Sequence, residues 1–328
     1  MYVLDSFLEE YHFLSTVWGV SSYRVKQLWN KEEDFIDALN ISKTFFTDSS
    51  SIYENDSDIE KAKDLIFSIL VNPEHDPGKK WSSIQAEIIP HILKRQGNYL
   101  VSLPTGGGKS VLFQGPALYN SAYTNKLSIV VTPLKALMQD QVKELGEKGF
   151  ISNVDYLNGD RSYQEVKSIY RKINGGEIAI LYVTPERFRS RAFLNALSTR
   201  MANDHGLEYM IFDEAHCISQ WGMEFRPEYL NVIKTCKKFK DTYGDDMCIS
   251  MFSATVTDMI YDQINDVIPV KRLGQENDKK IYNPIRSHIK MDFKEVFHDI
   301  PHRLKEIVDY IKEHNIKAQD SRMLVFCK

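Results

Sequence analysis

An α/β fold, with a mainly parallel sheet covered by helices on both faces, is predicted by three features of the sequence. Short apolar, β-branched runs recur from residue 81 onward: NYLVSL (98–103), LSIVVT (127–132), EIAILYVT (177–184), EYMIFD (208–213) and CISMFS (248–253). Helical stretches alternate with them. Each run reads as a largely continuous apolar stretch, so both of its faces are expected to be buried, as in a parallel sheet between two helical layers. Each stops at Pro, Ser, Thr or Asp. In such sheets ligands sit at the carboxyl ends of the strands.

The elements follow in order. Residues 1–45 place apolar side chains at three- and four-residue spacing, as in FLEEYHFL and VKQLWNKEEDFIDAL, and predict helices. The aromatics there recur at helical spacing, so a core role is the default. TDSSSIYENDSD (47–58) is a polar break whose DSD suits a helix start, with a helix expected over about 58–71. NPEHDPGKK (72–80) has the chemistry of a loop. The strand–helix alternation then begins. After residue 253 come a helical TDMIYDQINDVI, a polar stretch, a strand near 286–293, an amphipathic helix near 299–314, and RMLVFCK, which reads as the opening strand of another unit. The organisation expected is a helical extension over 1–78, an α/β domain over 79–275, and a linker with the start of a second α/β domain over 276–328.

Composition narrows the classes. The chain has 328 residues, 43% hydrophobic and 26% charged, which is ordinary for a globular protein with a real core. A net charge of −4 excludes a globally basic nucleic-acid binder, so any such site must be a local patch. The four cysteines form no C-x-x-C pair, which argues against a zinc site and fits a reducing, cytoplasmic compartment. The first residues do not read as a secretion signal, and no apolar run of spanning length occurs. No membrane contact is expected.

Two motifs carry chemistry. LPTGGGKS (103–110) lies between a strand and a helix. Its glycines let the backbone approach phosphates, and the following helix N-terminus adds a positive dipole. Thr105, Gly106, Gly107, Gly108, Lys109 and Ser110 would form the nucleotide cradle. Lys109 would reach the β- and γ-phosphates of ATP, and Ser110 would hold Mg²⁺. A strict phosphate loop has Gly at the first position, where this chain has Leu103. The second motif is DEAH, Asp213 to His216, about 105 residues after the lysine. Asp213 would hold Mg²⁺ and Glu214 would polarise the attacking water, with His216 in the same catalytic group. A helix N-cap is the bland alternative for such an acid pair.

Strand ends and aromatics suggest a nucleic-acid face. Thr132–Pro133 and Thr184 with its following proline can offer hydroxyl and N–H groups to phosphates, and Arg187 adds charge. Trp221 and Phe225 offer stacking faces, and Arg226 can contact a phosphate or a base. Packing beneath a loop is the alternative for the two aromatics. Gln114 and Phe113 read as packing residues, and KKFKD (237–241) as a solvated helix end.

Taken together, these motifs resemble superfamily 2 helicases, and among them the RecQ-like DNA helicases. WSSIQAEIIPHIL (81–93) is similar to the family's adenine-reading motif, with Gln85 as its glutamine and Ser82 where the family has arginine. VVTPLKALMQDQV and LYVTPERF are similar to motifs Ia and Ib. MFSATVT (251–257) resembles the element that couples hydrolysis to strand movement, through Ser253 and Thr255; a helix N-cap is a second reading of Thr255. DEAHCISQWGMEFRPEY is the most specific match, with Met223 and Glu224 where the family has His and Asp.

The resemblance covers about 80–328. It implies a RecA-like P-loop NTPase domain that uses ATP and Mg²⁺ and acts on single-stranded and duplex DNA with 3′→5′ polarity. It also implies arginine fingers from a second RecA-like domain, so this span alone is expected to hydrolyse ATP poorly. An RNA helicase, a translocase that does not unwind, and an ATP-switched binding module with a protein partner on residues 1–78 are the alternatives.

Overall fold

The computed structural model describes residues 52–53, 55–71, 78–202, 206–218, 226–243, 247–274 and 300–313. The helices expected in 1–45, the strand near 286–293 and the terminal RMLVFCK lie outside them. The chain divides into two units, Met1–Tyr282 and Asn283–Lys328. The second contributes one described helix, Ile300–Glu313, near the amphipathic segment expected there.

Among the described residues of the first unit, seven parallel strands form one sheet. They are β1 (Tyr99–Ser102), β2 (Leu127–Val131), β3 (Val154–Leu157), β4 (Ile180–Val183), β5 (Leu207–Phe212), β6 (Cys248–Ser253) and β7 (Lys271–Leu273). Their order is β3-β4-β2-β5-β6-β1-β7, every pair parallel. The five expected strands are all present. Two more, β3 and β7, were not expected. VDYL is an edge strand with its middle residues only half-buried, and KRL is a three-residue edge strand, so neither has the apolar run of the central strands.

Alternate residues of each strand enter opposite cores, as the pleat requires. Tyr99 and Val101 join one face while Leu100 joins the other, and Tyr209 and Ile211 oppose Met210 and Phe212. On the first face lie α1 (Asp56–Val71), α2 (Ser83–Lys94), α3 (Lys109–Thr124) and α4 (Lys135–Leu145). On the second lie α5 (Tyr163–Gly175), α6 (Arg191–Ala202), α7 (Pro227–Tyr243) and α8 (Asp258–Val267).

Helix α3 is the central one. Its residues from Leu112 to Thr124 are all buried, because α1 and α2 cover the face that the sheet does not. The close approach of α1 needs Gly115: a Cβ there would come within 2.3 Å of Ile66 Cγ2. Packing thus continues across the change of composition near residue 78. A helix buried on all sides must satisfy its polar groups internally. Asn120 Nδ2 donates to Glu208 Oε1 and to the Tyr209 hydroxyl, its Oδ1 accepts from the Tyr53 hydroxyl, and Thr124 Oγ1 donates to Glu208 Oε2. Arg95 Nε lies 3.2 Å from Glu208 Oε1, which balances that buried carboxylate.

The strand ends align. Val131 and Leu157 both pair with Val183, Val131 pairs with Phe212, and Ser102 pairs with Ser253. Thr132, Asn158, Thr184 and Asp213 therefore follow one another along a single edge. With β5 and β6 inserted between β1 and β2, the chain reverses direction beside β1, the arrangement that opens a ligand crevice.

Candidate functional site

The phosphate loop joins β1 to α3. Gly106 and Gly108 adopt φ of 74° and 73°, a left-handed backbone that favours glycine. Gly107 N–H donates to the Pro104 carbonyl at 2.9 Å, and a Cβ at Gly107 would meet that oxygen at the same distance. The loop is therefore closed around its own backbone. Lys109, the first residue of α3, points back into it: Nζ donates to the Leu103 carbonyl at 3.2 Å and to the Pro104 carbonyl at 3.5 Å. Ser110 follows in the first turn, half-buried. These groups fit a polyphosphate, because it would replace the carbonyls as the acceptor for Lys109 at a helix N-terminus.

Gln85 has a part that the sequence did not disclose. Ser82 is the N-cap of α2, its Oγ accepting from Gln85 N–H, while Gln85 Oε1 accepts from Ser82 N–H. The other end of the same side chain, Nε2, donates to the Gly107 carbonyl at 3.1 Å. A Cβ at Gly108 would lie 2.3 Å from that nitrogen. Gln85 thus braces the phosphate loop against α2. The serine that stands at an arginine position of the resembled family supplies the cap that makes this possible.

The second motif stands at the end of β5, beyond β6 from the loop. Asp213 N–H donates to the Val131 carbonyl, and its own carbonyl accepts from the Tyr229 hydroxyl at 3.0 Å. Glu214 has φ of 50°, unusual for a residue with a side chain and common at functional sites. His216 Nδ1 lies 3.2 Å from Glu214 Oε2 and 3.0 Å from Ser253 Oγ. The Ser253 hydroxyl donates to the Thr255 carbonyl, so its oxygen accepts from His216 with the proton on Nδ1, and from Thr255 N–H. Ser253 also ties to the phosphate loop, its carbonyl accepting from Leu103 N–H at 3.1 Å. The end of β6 therefore touches both motifs.

Electrostatics separate the two acids. Burial, and then the Glu214 charge, push the Asp213 carboxyl up to about 6, against the opposing pull of Lys109 and His216. Glu214 moves the other way, chiefly through its hydrogen bond to His216. A half-buried carboxylate that is costly to ionise fits a divalent cation, whose charge removes that cost.

The expected nucleic-acid residues fare unevenly. Thr132 and Thr184 end β2 and β4 as expected, but both are buried, at 1% and 6% exposure. Thr132 N–H is not available to a ligand as expected: it donates to the Val183 carbonyl within the sheet, leaving only the hydroxyl. Pro133 is half-buried. Arg187 is held by the Asn158 carbonyl. Arg226 N–H donates to the Cys217 carbonyl, and its guanidinium lies 3.9 Å from Glu186. Trp221 and Phe225, between Cys217 and Arg226, lie outside the described residues. Thr255 is exposed and is not a helix cap: Thr257 caps α8, accepting from Ile260 N–H. Gln114 packs, as expected, donating to Gln141 and to the Tyr182 hydroxyl. Among the described residues no metal-binding cluster of His, Cys, Asp and Glu occurs, and no helix is long and apolar enough to cross a membrane.

Comparison with known proteins gives a consistent picture. The family profile described as "DEAD/DEAH box helicase" matches residues 82–263, more than half of the chain. The ATP-dependent DNA helicase RecQ of Bacillus subtilis (strain 168) is 36% identical over 207 residues, covering 62% of this chain and 31% of that protein. The RecQ of Pasteurella multocida (strain Pm70) is 38% identical over 154 residues, 46% of this chain and 22% of its own. The ATP-dependent helicase SGS1 of Saccharomyces cerevisiae is 26% identical over 296 residues, 88% of this chain and 20% of its own. The chain thus spans at most about a third of these relatives. The crystal structure of the DUF1998 helicase MrfA superposes with a TM-score of 0.52 at 21% identity, covering 63% of this chain and 32% of that one, a likeness of fold.

Proposed function

This chain belongs to the DEAD/DEAH box helicase family, and from that premise we propose that it carries the ATP-hydrolysing domain of a RecQ-like DNA helicase. The whole enzyme would couple hydrolysis to 3′→5′ movement on single-stranded DNA and to duplex unwinding. The observation that carries this reading is the convergence on Ser253: its backbone holds the phosphate loop and its hydroxyl holds His216, and through it Glu214.

In this reading the loop 105–110 binds the phosphates of ATP. Lys109 leaves the Leu103 and Pro104 carbonyls for them. Mg²⁺, held by Ser110 and Asp213, would supply positive charge to the β- and γ-phosphates. Glu214, kept ionised by His216, orients the attacking water and receives its proton. Gln85 gives up one of its present bonds to read the base. Thr132, Thr184, Arg187, Arg226 and the aromatics Trp221 and Phe225 would line the path of the strand. Ser253 and Thr255 would couple the two sites: Ser253 bonds to both the phosphate loop and His216, and Thr255 bonds in turn to the Ser253 hydroxyl.

The test is nucleotide binding and ATP hydrolysis by residues 1–328 and by its Lys109→Ala variant, with and without single-stranded DNA or RNA. Binding is expected in the parent chain and loss of it in the variant, with slow turnover stimulated more by DNA than by RNA. Equal hydrolysis by parent and variant would remove the assignment. Robust DNA-stimulated turnover would remove the need for a second domain. Stimulation by RNA alone would favour an RNA-directed enzyme.

A further inference from the structure

The loop that follows β3 takes in basic side chains from the loops beside it. The Asn158 carbonyl accepts from Arg187 Nη2, and Asp160 Oδ1 lies 2.8 Å from Lys135 Nζ. Because the strand order is β3-β4-β2, Lys135 at the start of α4 and Asp160 after β3 belong to loops on either side of β4. The turn itself is fixed, since Asp160 N–H donates to Asn158 Oδ1 at 3.0 Å. Two donors at the same edge have no partner among the described residues: Thr132 Oγ1 and Asn158 Nδ2, in residues 1% and 0% exposed. Unspent donors beside two restrained cations suit a ligand that offers only acceptors and negative charge. A phosphodiester backbone has that chemistry.

We propose that Asp160 is a latch on the nucleic-acid face. It holds Lys135 across the end of β4, and a backbone phosphate of single-stranded DNA takes Lys135 from it. Lys135 is then a further phosphate contact, and Asp160 a positioning residue that opposes binding. The pair is about half exposed on both sides, 51% and 58%, so it is weak enough for a phosphate to displace. This rests on the nucleic-acid reading proposed above.

The experiment is fluorescence anisotropy of a labelled single-stranded oligonucleotide with the full chain, titrated over several salt concentrations. Asp160→Asn is expected to tighten binding about two- to fivefold, the range of a surface ion pair. Lys135→Ala is expected to weaken binding and to lower the salt slope by about 0.7, one single-strand phosphate contact. The double variant should match Lys135→Ala alone. Asp140→Asn, an exposed acid on α4, controls for net charge and should not tighten binding comparably. Unchanged or weaker binding by Asp160→Asn overturns the latch, as does tightening that persists without Lys135 or that Asp140→Asn reproduces. No binding of DNA by the parent chain, with nucleotide binding intact, overturns the nucleic-acid reading itself. A parallel RNA oligonucleotide separates the two polymers: the same gain on RNA alone would overturn the assignment to DNA.

Discussion

Replacing Asp213 with Asn should stabilise the nucleotide-free protein while abolishing its chemistry. The Asp213 carboxyl is pushed from 3.8 to about 6 by burial and by Glu214. At about 1.36 kcal/mol per unit, that difference of about two units makes the ionised side chain cost about 3 kcal/mol. Asp213 is only half-buried, and solvent screening reduces the cost to about 1–2 kcal/mol. Asparagine keeps the shape and removes the charge. The backbone bonds from Asp213 N–H to Val131 and from the Tyr229 hydroxyl to the Asp213 carbonyl do not involve the side chain. The sign follows from linkage. A carboxyl whose pKa is raised on folding contributes stability below its unfolded value, and loses it as pH rises through the folded one. Parent and variant should therefore converge toward pH 4 and diverge between about pH 4 and 6, with the variant melting about 1.5–3 °C higher at neutral pH. Differential scanning calorimetry across that range, without nucleotide or Mg²⁺, measures it. A variant less stable than its parent at neutral pH would refute the electrostatic account, and so would a difference that does not vary with pH. Adding Mg²⁺ and a non-hydrolysable ATP analogue should reverse the ranking, since only the parent can bind the cation through this carboxylate.

Other consequences can be tested in parallel. Gly115→Ala gains helix propensity but drives a Cβ against Ile66 Cγ2, so a net loss of about 1–3 kcal/mol is expected from overpacking; in an Ile66→Ala background much of that penalty should disappear, which chemical denaturation would show. Gln85→Ala removes the brace on Gly107 as well as any base contact, so affinity should fall for ATP and for GTP alike in equilibrium binding; loss confined to ATP would leave Gln85 a base reader only. Burial pushes the thiols of Cys236 and Cys248 up to about 12 and about 11, so neither should be alkylated in the native protein near pH 8, by mass mapping, until denaturant is added.

Much of the site was legible because its chemistry is local in the chain. A phosphate loop is a strand, a glycine turn and a helix start in succession, and LPTGGGKS spells that order out. The central strands announce themselves by apolar runs that need cover on both faces. The same logic explains what was missed. β3 and β7 are edge strands, half-covered and short, and they lack that signal. Missing β3 also hid the Asn158 turn, although an Asn-Gly-Asp sequence after an alternating VDYL was there to be read. The helix cap that is a second reading of Thr255 falls to Thr257 because the chain after β6 spends two more residues folding back to Ser253 before α8 starts.

The amino-acid order alone thus established the α/β class, the glycine-rich loop after β1 and the acidic strand tip, since each depends on neighbours in the chain and on burial of a periodic pattern. The tertiary structure alone decided which groups those residues touch. Gln85 reaches a carbonyl 22 residues away, and His216 a hydroxyl 37 away. The Arg95–Glu208 pair and the Lys135–Asp160 pair likewise join separate segments. Such partners are chosen by the packing of helices on the sheet and by the rule that buried polar groups be satisfied. Both act on distance in space, which the order of residues does not specify.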